Sequence, residues 1–266
     1  MTKLCWLLLL SVFMSSAPVS SLASEDKIIQ ICDDISEWPP FIFLRRNDGR
    51  ITQEIKGFSV QVIESILRKN NLKYELTLLP WKRCLQSVEK GDAYSVLLNS
   101  SFNEERNQKY YYSLPYYHVR PHYFYSSEHH PNGLSIKDKV DLKNYRVGGL
   151  LGYSYSYWGL SKDEVYSTGI YNFDGLLTHL KRNDIDLFVE NLEIIIGFNM
   201  IGKSYIEDPT LQFKPVMDMP PTPFYMLFTR NSEGKVLQQM VNKEIQAMQQ
   251  EGELEQMLAP YLRSIP

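Results

Sequence analysis

The sequence predicts an α/β protein of two lobes that face each other across a cleft. Three observations lead to this. Residues 28–98 run strand, helix, strand, helix, strand, by apolar periodicity, an order that implies a parallel sheet with crossover helices. The same grammar returns between residues 145 and 198. Finally, 266 residues with 44% hydrophobic and 22% charged side chains suit one large or two small globular domains with a sizeable core.

Residues 28–32 form a short apolar run that reads as a buried strand, followed by Asp33-Asp34 and a loop through Trp38-Pro39-Pro40-Phe41. After Gly57, Phe58, Val62, Ile63, Ile66 and Leu67 share one helical face, which ends at Arg68-Lys69-Asn70. Residues 74–79 alternate and then run apolar, as a strand. Pro80-Trp81 opens a helix with Cys84, Leu85 and Val88 inward, and Gly91-Asp92 stops it. Residues 94–98 are the third strand. In the second block, residues 145–150 read as a strand, followed by Gly152-Tyr153-Ser154-Tyr155. Residues 171–180 read as loop then helix, 185–189 as a strand, and Glu190-Asn191 as the opening of a helix through Phe198. Residues 213–217 are extended, Pro220, Pro221 and Pro223 precede a strand over 224–229, and helices cover 236–248 and 254–262. No solenoid repeat or low-complexity tract interrupts this order.

The first residues read as a targeting segment. Lys3 gives a positive start, residues 4–14 an apolar stretch too short for a comfortable membrane span, and Ser21-Leu22-Ala23 a small-residue cleavage site. Residues 1–23 are therefore expected to be a signal peptide cleaved near Ala23, with a retained anchor as the alternative. Cys5 would leave with it, so Cys32 and Cys84 would remain. An even count in an oxidising compartment favours a bridge over two buried thiols. Neither cysteine has a CxxC partner or a nearby His to suggest zinc. His129-His130 lies in an exposed Pro-Asn-Gly turn without supporting ligands. The net charge of −3 gives no reason to expect a nucleic-acid partner.

The richest stretch is residues 99–117. Asn99, Ser100 and Ser101 follow the third strand as small polar residues, ahead of Arg106 and the closing Ser113-Leu114-Pro115-Tyr116-Tyr117. A guanidinium grips a carboxylate in bidentate fashion, and the neighbouring hydroxyl and N–H groups can add to that grip. The alternative for Arg106 is a surface pair with Glu104 or Glu105, which would be worth little. The loops carrying Trp38, Ser101, Arg106, Tyr153 and Glu190 all follow expected strands, where open α/β sheets bind ligands. With 13% aromatic residues, 18 of them Tyr, some rings are available to line such a cleft. There is no HExxH, GxSxG, P-loop or GxGxxG after a strand. No catalytic residue, metal or cofactor is therefore assigned, although Glu37 and Glu190 could form an acid–base pair.

These residues resemble the family 3 extracellular solute-binding proteins of the periplasmic amino-acid-binding type. Trp38-Pro39-Pro40-Phe41 is similar to the family's loop after its first strand, and Gly57-Phe58-Ser59-Val60 to its Gly-Phe-Asp-Val helix entry. The run from Ser101 to Arg106 with 113–116 is similar to its Ser-x-Thr-x-x-Arg…Phe-Ser-x-Pro-Tyr signature, and residues 252–262 to its closing helix. Pro80-Trp81-Lys82-Arg83 together with the paired cysteines marks a divergent branch.

The resemblance implies a two-lobed periplasmic-binding-protein-like (type II) fold. Lobe 1 would comprise 24–118 and 220–266 and lobe 2 would comprise 119–219, with hinge crossings near 119–123 and 213–219. It implies that Arg106 holds a carboxylate with help from Asn99, Ser100 and Ser101, and that Trp38 stacks on the ligand. Trp81 would sit near the cleft, Tyr153 would form part of the lobe-2 wall, and Glu190 or Asn191 would meet an α-ammonium. The implied product is an exported periplasmic monomer that captures an amino acid or related organic acid for ABC-type import, with a membrane permease as partner. The alternatives are a ligand sensor signalling to a membrane receptor and a periplasmic dehydratase of the same fold.

Overall fold

The computed structural model describes residues 28–263. The expected signal peptide and Cys5 lie outside them. The chain opens with β1 (Ile28–Asp34) and then a hairpin of β2 (Phe43–Asn47) and β3 (Arg50–Lys56). Asp48 and Gly49 join the hairpin strands, both with positive φ (50° and 77°), as the commonest two-residue hairpin turns require. The helix α1 (Phe58–Lys69) buries Phe58, Val62, Ile63, Ile66 and Leu67. It enters through Gly57, where a Cβ would fall 2.2 Å from the Phe41 carbonyl oxygen. Next come β4 (Lys73–Leu79), α2 (Trp81–Lys90) and β5 (Val96–Ser101). Gly91 stops α2 in the left-handed region at φ 68°.

The short helix α3 (Glu104–Lys109) carries Arg106, and β6 (Tyr110–Tyr112) and β7 (Tyr117–Val119) follow. After Arg120 the chain enters β8 (Pro121–Ser126). Then come β9 (Val147–Gly148), β10 (Val165–Tyr166), α4 (Phe173–Lys181), β11 (Leu187–Asn191), α5 (Leu192–Gly197) and β12 (Leu211–Pro215). The chain returns through β13 (Thr222–Thr229) and ends in α6 (Ser232–Gln250) and α7 (Glu253–Leu262).

Two principal sheets result. The first has the order β4-β1-β5-β13-β6, with β7 also on β13. Its β4-β1-β5 part is parallel, and β13 runs antiparallel to β5. The second has the order β10-β9-β11-β8-β12, parallel through β11 and antiparallel beyond it. A single residue, Arg120, separates β7 in the first sheet from β8 in the second, so Tyr123 and Phe213 lie inside strands of the second sheet. Arg120 is held there by Glu193, which accepts its backbone N–H and its Nε–H, both at 2.7 Å.

Cys32 on β1 and Cys84 on α2 form a disulfide, with Cα atoms 5.8 Å apart. It sits in a buried cluster with Val88, Leu97, Tyr110 and Leu227.

Several expected boundaries move. The third strand begins at Val96 and continues through Ser101, so Asn99, Ser100 and Ser101 are strand residues rather than loop. The reason is pairing: Ser100 and Ser101 lie opposite Tyr225 and Phe224 of β13. Glu190 and Asn191 likewise end β11, opposite His122 and Pro121, and the helix starts only at Leu192.

Candidate functional site

A cavity of about 50 Å3 lies between the two sheets. From the first sheet side it is lined by Asp33, Asp34, Trp38, Trp81, Asn99, Ser101, Arg106, Thr222 and Phe224. From the second it is lined by Tyr153, Ser154, Tyr155, Tyr157, Trp158, Val189, Glu190 and Asn191. Most of these residues stand at or just beyond the carboxyl ends of β1, β5 and β11, or on the helix or turn that follows a strand. Parallel sheets present their ligands in the same place.

Arg106 is 8% exposed. The Asn103 side chain caps its helix by accepting the Arg106 backbone N–H at 2.7 Å. Its guanidinium donates to the Ser100 hydroxyl at 3.1 Å and lies over the Trp81 ring at 5.4 Å. It forms no salt bridge among the described residues, and burial lowers its pKa from the ordinary arginine value. A desolvated guanidinium without a carboxylate is costly unless something anionic reaches it.

Three carboxyl groups face the same cavity. Asp33 accepts the Asp34 N–H at 2.7 Å, the Asn99 N–H at 3.0 Å and Asn99 Nδ2 at 2.9 Å. Burial nevertheless outweighs these bonds and pushes it up to about 7. Asp34 accepts the Ser36 N–H at 3.0 Å and the Tyr153 hydroxyl at 2.8 Å, and burial raises it as well. Among the described residues Glu190 is held by its neighbour alone: Asn191 donates its N–H at 2.7 Å and its Nδ2 at 3.0 Å, both to one oxygen. The other Glu190 oxygen accepts no hydrogen bond from the described residues, and burial pushes the group up to about 8.

Four of the cavity's side chains also carry a buried polar atom without a hydrogen-bond partner among the described residues: Trp38 Nε1, Trp81 Nε1, Asn191 Oδ1 and Thr222 Oγ1. Such atoms are rare in folded interiors. Their grouping around one cavity marks a place where a polar ligand would satisfy them.

Each expected site residue has a definite place. Arg106, Ser101, Asn99, Trp38, Trp81, Tyr153, Glu190 and Asn191 line the cavity together. Ser100 does not line it but supports Arg106. The Asn99 carboxamide is occupied on both ends, by Asp33 and by the Ser59, Tyr116 and Tyr117 hydroxyls. Glu37 does not pair with Glu190. It holds Arg46 through both carboxylate oxygens, at 2.6 and 2.8 Å, and takes the Leu44 N–H. His129 bonds the Lys181 carbonyl at 2.9 Å, and no group of metal-ligand residues occurs among the described residues.

Sequence reasoning missed Tyr157, Trp158, Thr222 and Phe224. Only the sheet topology brings Thr222 and Phe224 beside β5 and β7.

Residues 30–264 match the family described as bacterial extracellular solute-binding proteins, family 3. The chain is 21% identical to the "Probable amino-acid-binding protein YxeM" of Bacillus subtilis, over 91% of this chain and 86% of that protein. It is 20% identical to the "Probable histidine-binding protein" of Neisseria gonorrhoeae, over 90% and 84%. Among solved structures, it resembles the amino acid ABC transporter substrate-binding protein AbpA from Streptococcus pneumoniae bound to L-arginine. The TM-score is 0.69, with 19% identity, 89% of this chain and 94% of that chain covered.

Proposed function

This chain belongs to family 3 of the bacterial extracellular solute-binding proteins, and on that premise we propose that its cavity captures a small zwitterionic ligand, an amino acid or close relative, by closure of two lobes. Lobe 1 comprises 24–118 and 220–266 and lobe 2 comprises 119–219. The division is supported by the two sheets, which exchange the chain at Arg120 and again between Pro215 and Thr222.

One observation carries the reading. A buried guanidinium without a carboxylate, Arg106, and a buried carboxyl with an unbonded oxygen, Glu190, line one cavity from opposite walls. That is the complement of a molecule bearing a carboxylate and an ammonium. Arg106 receives the carboxylate with Ser101 beside it, and Ser100 and the Trp81 face hold the guanidinium in place. Glu190 and the free Asn191 Oδ1 accept from the ammonium. Trp38 and Tyr153 flank the remainder. Ligand contacts made from both walls exist only when the lobes are together, so the ligand shifts the population toward closure by its differential affinity.

The reading is a binding protein and not an enzyme, supported by the relatives named above, which are described as binding proteins. Delivery to a membrane permease, export to the periplasm with cleavage near Ala23, and a monomeric state complete the proposal. Among the described residues, no helix is long and apolar enough to cross a membrane.

A thermal-shift screen of the mature protein against amino acids, polyamines and organic acids tests the ligand class. A ligand at a hundred times its Kd stabilises the protein by about 2.7 kcal/mol. Arg106→Ala should cost about 2–5 kcal/mol of affinity, as removal of one partner of a buried charge pair does, with folding retained by circular dichroism. Wild-type affinity in that variant would remove Arg106 from the site.

A further inference from the structure

The cleft is divided. Beside the inner cavity lies an outer groove of about 490 Å3, nearly tenfold larger than the inner cavity's 50 Å3. Lys82, Gln86, Asn103, Ser156, Ser161 and Lys162 are among its lining residues. Four residues line both chambers: Arg106, Tyr153, Ser154 and Tyr155.

Their side chains differ in what they can do. Tyr155 is pinned, because its hydroxyl oxygen accepts the Leu150 N–H at 2.6 Å. Ser154 is small, and Arg106 is anchored on Ser100. Tyr153 is the bulky partition. Its ring meets Trp38 edge-on at 5.7 Å and Trp81 edge-on at 5.9 Å, both residues of the opposite wall. Its hydroxyl spans the cleft to Asp34 at 2.8 Å.

Local backbone geometry aims it there. The Tyr153 N–H donates to the Leu150 carbonyl at 3.2 Å, closing a turn with Gly152 at φ 87°. A positive φ at the third position belongs to a type II turn and favours glycine. Gly152 also sits against Trp81, where an ideal Cβ would already be 3.6 Å from the indole.

We propose that Tyr153 determines the size class of the ligand by partitioning the cleft between Trp38 and Trp81. Short-chain free amino acids fill the inner chamber, and longer molecules anchored on the same Arg106, such as dipeptides, are shut out of the outer groove. This rests on the reading of the cavity as an amino-acid site. A cavity needs about 10–15 Å3 of such space to admit a single water, so the inner chamber's 50 Å3 suits a small ligand, whereas the outer groove's 490 Å3 has space for a second residue.

The test compares wild type, Tyr153→Ala and Tyr153→Phe, each shown to be folded by circular dichroism. Calorimetric titrations use glycine, L-alanine and L-serine against glycylglycine and L-alanyl-L-alanine. Acrylamide quenching of tryptophan emission is read in parallel, without any ligand. In wild type and Tyr153→Phe, the preferred amino acid should bind at least tenfold more tightly than its dipeptide. Tyr153→Ala should abolish or reverse that ratio and raise the quenching constant as Trp38 and Trp81 become reachable. A wild-type ratio in Tyr153→Ala, or equal wild-type affinity for amino acid and dipeptide, overturns the proposal. If no compound of this panel binds wild type, the short-chain assignment is overturned, and the amino-acid reading is judged separately by the thermal-shift screen. Quenching then decides the partition: unchanged access in Tyr153→Ala overturns it, and increased access supports it.

Discussion

Glu190 shows how burial turns an ordinary side chain into a reporter on its site. Its carboxyl is raised from 4.5 to about 8 because burial outweighs the two hydrogen bonds that Asn191 donates to it. The sign of the pH effect follows. Between pH 4.5 and about 8 the unfolded chain releases this proton and the folded chain keeps it, so the unfolded state binds fewer protons and stability falls as pH rises. Asp33, raised to about 7, acts in the same direction over a lower window. Glu190→Gln should therefore flatten the upper part of this decline, from about pH 7 to 8, in denaturant titrations run without ligand. An unchanged slope there would show that Glu190 ionises normally. A bound ammonium favours the charged form, so wild-type binding below pH 8 should release a proton. Calorimetry in two buffers of different ionisation enthalpy would detect it. Arg106 was legible in the sequence because small polar residues and a guanidinium behind an apolar run are a local pattern. The support of Arg106 by Ser100 and Trp81 was not, since Trp81 arrives from a separate helix.

At the scale of elements, β1 and α2 are tied by the Cys32–Cys84 bridge, which closes a loop of sequence separation 52. In the chain-entropy account such a loop contributes about 4 kcal/mol. Cys32→Ala with Cys84→Ala should lower the unfolding free energy by an amount of that order, measured in urea. A loss below about 1 kcal/mol would mean that the buried cluster around the bridge carries the junction alone. The cysteine count pointed to this pair, whereas the β2–β3 hairpin went unread although its signal was present. Asn47-Asp48-Gly49-Arg50 is a two-residue hairpin turn. The flanking strands are too exposed to show clean alternation, and that hid them. Asn99–Ser101 and Glu190–Asn191 were misplaced as loop and helix for a different reason: their strand character comes from partners, β13 and β8, that are far away in sequence.

Across the whole molecule, the two sheets approach at several points besides Tyr153. The Ser36 hydroxyl donates to the Tyr171 carbonyl at 2.9 Å, and Gly197 of α5 makes a close backbone approach. A Cβ there would lie 2.4 Å from the Pro39 carbonyl oxygen, in the loop after β1. Its φ of −56° is ordinary helix, so the glycine serves the contact and not its own backbone. Alanine is about 1 kcal/mol better than glycine inside a helix, so Gly197→Ala should leave α5 intact while holding the walls apart. The expected outcome is at least tenfold weaker ligand binding and, with saturating ligand, a larger radius of gyration by small-angle scattering than wild type. Equal affinity and equal radius would show that the Pro39–Gly197 contact is not part of closure.

The sequence by itself determined the α/β class and the parallel character of β1, β4 and β5 without their order, favoured a bridge between Cys32 and Cys84, and put forward Arg106, Trp38, Tyr153 and Glu190 as candidates. Each of these is written in local periodicity, residue chemistry or a count. Tertiary structure alone decided that Ser100 supports Arg106 from outside the cavity, that Glu37 is consumed by Arg46, and that Thr222 and Phe224 complete the wall. It also decided that Tyr153 reaches across to Asp34, Trp38 and Trp81. These depend on which strands become neighbours across the sheet and how closely two separately built faces meet, and packing in three dimensions sets both.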